Sequence, residues 1–454
     1  MGRLVSRAGL AGAMSAPPPP LPQAADVPAL RIPPPGLLAD PALARVLEAL
    51  PEARVVGGAV RDALLGFPVA DIDLATPRPP EAVIAALRAA GLRALPTGLA
   101  HGTVTALADG RGFEITTLRR DVATDGRHAM VAFTADWRAD AARRDFTLNA
   151  LSLTADGAVF DYFDGLSDLR AGHVRFVGDP ATRIAEDYLR ILRFFRFHAR
   201  YGRGAPDPAA LAAIRAGAAG IGGLSPERVW SELRLLLTAP EPGGAIALME
   251  ACGVLSRVLA EGAEVSRLAR LRAAGAPADP LLRLAALLAG DASHLADRLR
   301  LSTAERTRLL ALRAGPVPHP EDDDNALRRL LAETEPDILL GRVWLADDGA
   351  PGWAALRARL ATLPRPVFPL AGRDVLALGL APGPRVGALL GAVRDWWLAG
   401  GCLANAAACR ETLAARLRAG GEAAPAPDGA SLPRAGEAGS HRKPRAGAPA
   451  KPAR

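Results

Sequence analysis

The chain has 454 residues, 50% of them hydrophobic but only 4% aromatic, and a formal net charge of +7. That length allows roughly two to four compact units with buried cores, and the lack of any uncharged apolar run of 18 residues excludes a transmembrane helix. Cys252, Cys402 and Cys409 are odd in number and have no ligand spacing, which excludes a cysteine-based zinc or disulfide framework and points to a reducing cytoplasm.

The positive charge rests on arginine, because Lys443 and Lys451 are the only lysines. Arginine suits planar contacts to phosphates and bases, so a polyanionic partner is expected. A genome rich in G and C would also raise Ala and Arg everywhere, so composition alone decides little. Residues 1–40 are Pro-rich, with a run at Pro17–Pro20, and predict a mobile leader. Glycine interrupts its apolar stretch, which is too weak for a signal peptide, and Met14 is an alternative start.

Order begins at Pro41 with a helix near Ala42–Ala49. Val55 and Val56 form a strand that ends in Gly57-Gly58, and a helix follows from about Ala59. Glycines let a backbone approach closely, and the first N–H groups of a helix are free to meet an anion, so a triphosphate suits this turn. In Asp71-Ile72-Asp73 the period of two puts both carboxylates on one strand face, with Ile72 directed to the core. Two hard donors so placed can share two Mg2+ ions, which in two-metal sites lie roughly 3.5–4 Å apart. The chemistry expected is nucleotidyl transfer. Taken alone, Gly-Gly reads as a turn and Asp-X-Asp as a solvated strand end, and only their combination carries weight.

The stretch from Glu81 to Ala90 predicts an amphipathic helix, and His101–Ala108 and Gly112–Thr117 predict strands. Glu114 on the second strand is a candidate third carboxylate, or else a solvated residue of an edge strand. Arg119–Arg138 is basic and polar without periodicity and reads as a loop. Arg143–Ala150 then clusters Arg143, Arg144, Asp145 and Asn149, a set able to grip a triphosphate and ribose hydroxyls, or to form a structural ion pair. Strands resume around Leu151–Leu153 and Val159–Tyr162. The Asp161–Gly165 segment reads as structural, with Gly165 at positive φ and the aspartates capping backbone N–H groups.

In residues 175–197 the apolar positions Ile184, Tyr188, Ile191, Leu192 and Phe195 mark one buried helix face. Asp187 and Arg190 are three apart and so neighbours on that helix, where the plain reading is a salt bridge between them. Beside a nucleotide site the pair acquires a second meaning. Cytosine and adenine each offer an amino donor next to a ring-nitrogen acceptor, whereas guanine and uracil offer a carbonyl next to a ring N–H. A carboxylate with a guanidinium matches the first two, and each well-made bidentate contact discriminates by ~1–3 kcal/mol. Arg183, Arg193 and Arg196 flank the same helix and hold phosphates or solvate a face. Every later segment is helical in period, broken by Gly, Pro and acidic turns such as Pro316–Asp324, with no repeat of solenoid grade. Beyond Gly420 the chain has almost no apolar anchor and reads as disordered.

Together these stretches resemble the polymerase β-type nucleotidyltransferases of the tRNA CCA-adding and bacterial poly(A) polymerase family, in its bacterial class. Gly57-Gly58-Ala59-Val60-Arg61-Asp62 with Asp71 and Asp73 resembles its metal-binding motif. Arg143–Ala150 is similar to its nucleotide and ribose motif, Glu186-Asp187-Tyr188-Leu189-Arg190 to its base-selecting motif, and Leu224-Ser225-Pro226-Glu227-Arg228 to the helix-capping motif of its neck. Thr97–Val104 looks like the CCA-adding branch, and no histidine precedes an aspartate, so an appended HD phosphohydrolase is not expected.

The resemblance implies an α+β fold: a polymerase β-like nucleotidyltransferase head on a short mixed sheet, then all-α neck, body and tail. The corresponding spans are a leader at 1–40, a catalytic head at 41–180, a neck with the base-selecting helix at 181–240, a tRNA-binding body and tail at 241–420, and a disordered basic tail at 421–454. It implies template-independent addition of CCA to the 3′ end of tRNA from CTP and ATP, with Mg2+, or else poly(A) synthesis or partial CC or A addition on the same fold. Asp71 and Asp73 would be catalytic and, with Glu114, hold metal. Gly57, Gly58, Arg61, Arg144, Asp145, Asn149, Asp187, Arg190 and Arg193 would bind the nucleotide. Arg127-His128 resembles the region of the flexible catalytic loop. The partner would be the acceptor stem and elbow of tRNA, with no membrane, in the cytoplasm.

Overall fold

The computed structural model describes residues 26–69, 71–124 and 129–420, apart from the side chains of 121–131. The chain divides into two compact units, 1–313 and 314–454. No helix among the described residues is long and apolar enough to cross a membrane.

The first unit opens with an eight-stranded mixed sheet. Its strands in chain order are β1 (Leu30–Arg31), β2 (Arg54–Val56), β3 (Asp73–Thr76), β4 (Arg93–Gly98), β5 (Thr103–Ala108), β6 (Arg111–Thr117), β9 (Ser152–Leu153) and β10 (Ala158–Phe160). Between them a separate two-stranded hairpin is formed by β7 (Arg119–Thr124) and β8 (Ala129–Phe133). The large sheet runs β1-β10-β9-β2-β3-β6-β5-β4, and every neighbouring pair is antiparallel except β3 with β6. Central β2 is buried at all three residues, Arg54 together with Val55 and Val56, whereas β5 alternates half-buried and buried positions.

Helices pack on this sheet and start where the sequence supplies caps. Asp40 accepts from the Ala42 N–H at 2.9 Å and Pro41 opens α1 (Pro41–Ala49). The helix α2 (Gly58–Leu64) follows β2 directly, α3 (Pro80–Ala89) follows β3, and Asp136 caps α4 (Trp137–Ala142). After α5 (Gly165–Ala171) the unit is helical: α6 (Pro180–Glu186), α7 (Leu189–Tyr201), α8 (Pro208–Gly217), α9 (Pro226–Leu237), and further helices to Arg313. A cluster of Phe146, Phe176, Phe194 and Phe197, with ring centroids 4.9–6.4 Å apart, ties the 143–150 segment to α7. Such aromatic pairs contribute about 0.5–1.5 kcal/mol each beyond burial. In the second unit, helices from Asp324–Glu333 to Ala406–Arg418 enclose two apolar clusters, one around Leu339 and Trp353, the other around Val393 and Trp397.

Several expectations need correction. The leader does not extend to residue 40: β1 pairs with β10, and Asp26 forms an ion pair with Arg54 while accepting from the Tyr162 hydroxyl at 2.5 Å. The Arg54 guanidinium is itself held over the rings of Phe160 and Trp137, at 3.6 and 4.0 Å. Within 119–138, expected as a loop, β7 pairs antiparallel with β8 and α4 begins at Trp137, because backbone pairing needs no apolar period. Glu114 is not on an edge strand, since β6 lies between β3 and β5. Positive φ in the Asp161–Gly165 turn falls on Asp164 at 61°, not on Gly165. Gly165 is needed for close approach instead, as a Cβ there would come 2.2 Å from the Thr147 carbonyl oxygen. Asp161 does cap as expected, accepting from the N–H groups of Phe163, Gly165 and Leu166. The one helix face read within residues 175–197 is broken at Asp187, whose backbone is extended at φ −158° and ψ 108°. The compact unit 1–313 takes in the 41–180 and 181–240 spans, and the 241–420 span runs across the division at 313. The basic tail at 421–454 lies outside the described residues.

Candidate nucleotide-binding and catalytic site

The strand β2 ends at Val56 and the chain turns through Gly57, whose φ is +71°. A side chain there would be strained, and its Cβ would sit 2.8 Å from Nη1 of Arg144, so glycine is required by both conformation and space. The antiparallel register places Val56 opposite Asp73, and the parallel register places Glu114 beside it. Asp71 and Asp73 are exposed on either side of buried Ile72, as the period of two predicts, although β3 begins only at Asp73.

A cavity of about 450 Å3 opens over this turn. All nine residues expected to bind nucleotide line it, namely Gly57, Gly58, Arg61, Arg144, Asp145, Asn149, Asp187, Arg190 and Arg193, and so does Asp73. The volume lies within the usual range for small-molecule sites. Three further lining residues, Leu189, Phe197 and Arg228, were not expected there. Arg228 was already visible within the capping motif, and its proximity is set by the packing of α9 on α7, which sequence spacing does not show.

Buried polar groups fix the cavity wall. Arg61 forks onto its neighbour Asp62 with two bonds of 2.9 Å, lies 4.2 Å above the Tyr201 ring, and donates from Nη1 to Asn149 Oδ1 at 2.5 Å. Asn149 in turn donates to Asp145 Oδ1 at 3.0 Å, and Asp145 Oδ2 accepts from Arg193 Nε at 2.7 Å. Beyond Arg193, Glu232 of α9 accepts from Arg196 at 2.5 Å and lies 3.5 Å from Arg193. Burial pushes the Asp145 carboxyl up, but Arg193 first and Asn149 next outweigh it and hold it below the usual aspartate value. Burial likewise lowers the Arg144 guanidinium, opposed chiefly by Asp140.

Asp187 and Arg190 both face the cavity but are not paired with each other. Asp187 Oδ2 accepts from Arg228 at 2.6 Å and Oδ1 from the Leu189 N–H at 3.1 Å. Arg190 pairs with Glu186 and donates to the Arg183 carbonyl oxygen at 2.8 Å.

The carboxylates fit a divalent cation. Although its surface is exposed, Asp73 lines the cavity, where partial desolvation first, then Glu114 and, more weakly, Asp71 push it above the usual aspartate range against the pull of Arg144. A hard dication would relieve that excess of negative charge. Glu114, on the neighbouring strand, stands beside Asp73 in the parallel register, and among the described residues no three His, Cys, Asp or Glu side chains come together as a metal site. Arg127 and His128 lie outside the described residues.

Known proteins resemble this chain over most of its length. A family model described as "Poly A polymerase head domain" matches residues 53–175, and one described as "Probable RNA and SrmB- binding site of polymerase A" matches 205–265. The mitochondrial CCA tRNA nucleotidyltransferase 1 of Danio rerio is 38% identical over 360 residues, covering 76% of this chain and 83% of that protein. The CCA-adding enzyme of Limosilactobacillus fermentum is 41% identical over 213 residues, 46% of this chain and 52% of that protein. The crystal structure of the Bacillus stearothermophilus CCA-adding enzyme in complex with CTP superposes with a TM-score of 0.67 at 28% identity, covering 83% of this chain and 97% of that one.

Proposed function

The chain belongs to the family of CCA-adding tRNA nucleotidyltransferases, and from that premise we propose that it adds C, C and A in turn to the 3′ end of tRNA, using CTP and ATP without a template. The observation that carries this reading is the convergence on one cavity of the Gly57-Gly58 turn, Asp73, the Arg144–Asn149 segment and the Asp187–Arg190 pair, which are drawn from a stretch running from residue 57 to residue 190.

The roles follow from the chemistry of each group. Asp71 and Asp73 would hold two Mg2+ ions, with Glu114 adding negative charge from the adjacent strand. The ions supply a lowered pKa for the attacking hydroxyl and charge neutralisation at the leaving pyrophosphate. Arg144 and Arg193, fixed by Asp140 and Asp145, bring cationic donors to the triphosphate. Gly57 and Gly58 let that triphosphate reach the backbone. Asn149 and Asp145 offer neutral and ionised partners to ribose hydroxyls. Asp187 accepts and Arg190 donates, which suits the amino and ring-nitrogen edge of cytosine and adenine. The 3′ hydroxyl of tRNA then attacks the α-phosphorus and pyrophosphate leaves. Arginines elsewhere along the helical part would meet tRNA phosphates. The three free cysteines, Cys252, Cys402 and Cys409, suit the reducing cytoplasm.

The test is incorporation on tRNA lacking its 3′ CCA. Two C residues and one A followed by arrest support the proposal, and long tails from ATP alone overturn it in favour of a poly(A) polymerase. Stopping after CC, or adding A only to tRNA ending in CC, would restrict it to a partial activity. Asp71→Ala should abolish incorporation while leaving tRNA affinity nearly unchanged.

A further inference from the structure

The spacing of Asp187 and Arg190 favours a direct salt bridge, and the structure contains none between them. A carboxylate and a guanidinium that neutralise each other have spent the acceptor and donors with which they would read a base. Two neighbouring charges prevent this. Glu186 holds Arg190, whose guanidinium also donates to the carbonyl oxygens of Arg183 at 2.8 Å and Arg143 at 3.5 Å. Arg228, 41 residues downstream, holds Asp187 at 2.6 Å. The extended backbone at Asp187 separates α6 from α7 and, with the Leu189 N–H, turns its carboxylate toward α9.

Resting on the reading of Asp187 and Arg190 as the base-selecting pair, we propose that Arg228 is a specificity-determining positioning residue which, with Glu186, keeps that pair apart and open to the incoming base. A carboxylate offers about four lone-pair directions. Two of those on Asp187 are taken by Leu189 and Arg228, leaving acceptor capacity on the cavity side and no reason to swing toward Arg190. Loss of Arg228 leaves Arg190, which lines the same cavity, as the cation nearest in sequence to Asp187. The closed pair would then lack the edge that separates C and A from G and U. Arg228 is suited to such a role because it lines the cavity with its side chain 37% exposed, and Asp187 is its one side-chain partner among the described residues.

The experiment measures kcat/KM for CTP, ATP, UTP and GTP on tRNA lacking CCA, with thermal unfolding as a fold control, for wild type and for Arg228→Ala, Arg228→Lys, Glu186→Gln, Asp187→Ala and the Arg228→Ala/Asp187→Ala double variant. Arg228→Ala is expected to lower the CTP-over-UTP selectivity about tenfold or more, on the scale of one base contact. Arg228→Lys should retain part of it, Glu186→Gln should move in the same direction, and the double variant should be no less selective than Asp187→Ala alone. An equal fall for all four nucleotides in Arg228→Ala, with Asp187→Ala still losing selection, would overturn the proposal and make Arg228 a phosphate contact or a structural residue. Unchanged selection in Asp187→Ala would overturn the base-reading assignment itself, and this proposal with it.

Discussion

Asp145→Ala isolates the link between the cavity wall and the helices behind it. Asp145 is 9% exposed and receives three donors: the Phe146 N–H at 2.9 Å, Asn149 Nδ2 at 3.0 Å and Arg193 Nε at 2.7 Å. Truncation leaves the amide groups without their acceptor, at about 1–3 kcal/mol. It also strips Arg193 of its principal counter-charge, which for a fully buried pair costs ~3–5 kcal/mol. The second term must be discounted, because the Arg193 side chain is 32% exposed and keeps Glu232 at 3.5 Å. A net loss of roughly 3 kcal/mol is therefore expected, a large share of the ~5–15 kcal/mol typical of a domain. Urea unfolding of wild type, Asp145→Ala, Arg193→Ala and the double variant measures it as a cycle. The pair should show a coupling of at least ~1 kcal/mol, and KM for CTP should rise in every variant. A coupling near zero, or a total loss below ~1 kcal/mol for Asp145→Ala, would refute the argument that this carboxylate holds Arg193 in place.

Adding Mg2+ should raise the thermal midpoint of the wild-type chain, because a bound ion relieves the repulsion among Asp71, Asp73 and Glu114. Asp73→Asn should remove most of that increment, and an equal rise in both proteins would disprove cation binding there. Glu261 supplies a pH test away from the site. Burial pushes its carboxyl up, but hydrogen bonds led by those from Arg298 outweigh it and bring the pKa from 4.5 down to about 2. A folded-state pKa below the unfolded one stabilises at pH values above 4.5, and that stability disappears as pH falls through about 2. Glu261→Gln should thus lower the unfolding midpoint at pH 7, with the gap to wild type closing in acid. A gap that persists unchanged at pH 2 would rule out ionisation as its source.

The sequence was most informative where chemistry is local. Gly57, Asp73 and the alternation through Ile72 could be read from residue type and a period of two, and the structure returns them with the expected burial. The hairpin of β7 and β8 and the edge strands β1 and β4 were not legible. Two-residue β1 gives too short a run to show alternation, Pro96 interrupts β4, β7 opens on Arg119-Arg120-Asp121, and the apolar run of β8, Ala129–Phe133, has no alternation of polar and apolar residues to mark it. The largest gap lay in the charges. A spacing of three predicts Asp187 with Arg190 because it considers one helix at a time, and the residues that decide their pairing lie elsewhere: Glu186 one step before the helix break, and Arg228 on α9. Both partners were present in the stretches already singled out. What was missing was the packing of α9 against α7, which depends on the long-range burial of residues such as Leu192, Phe195, Leu233 and Leu236. A polar pair on an isolated helix prefers itself, and only a second element bearing a competing charge can hold it open. In a site that must read bases by protein alone, that competition is therefore a property of the helical neck rather than of the catalytic sheet. Swapping the α9 surface should alter nucleotide choice without disturbing Asp71 and Asp73 at the start of β3.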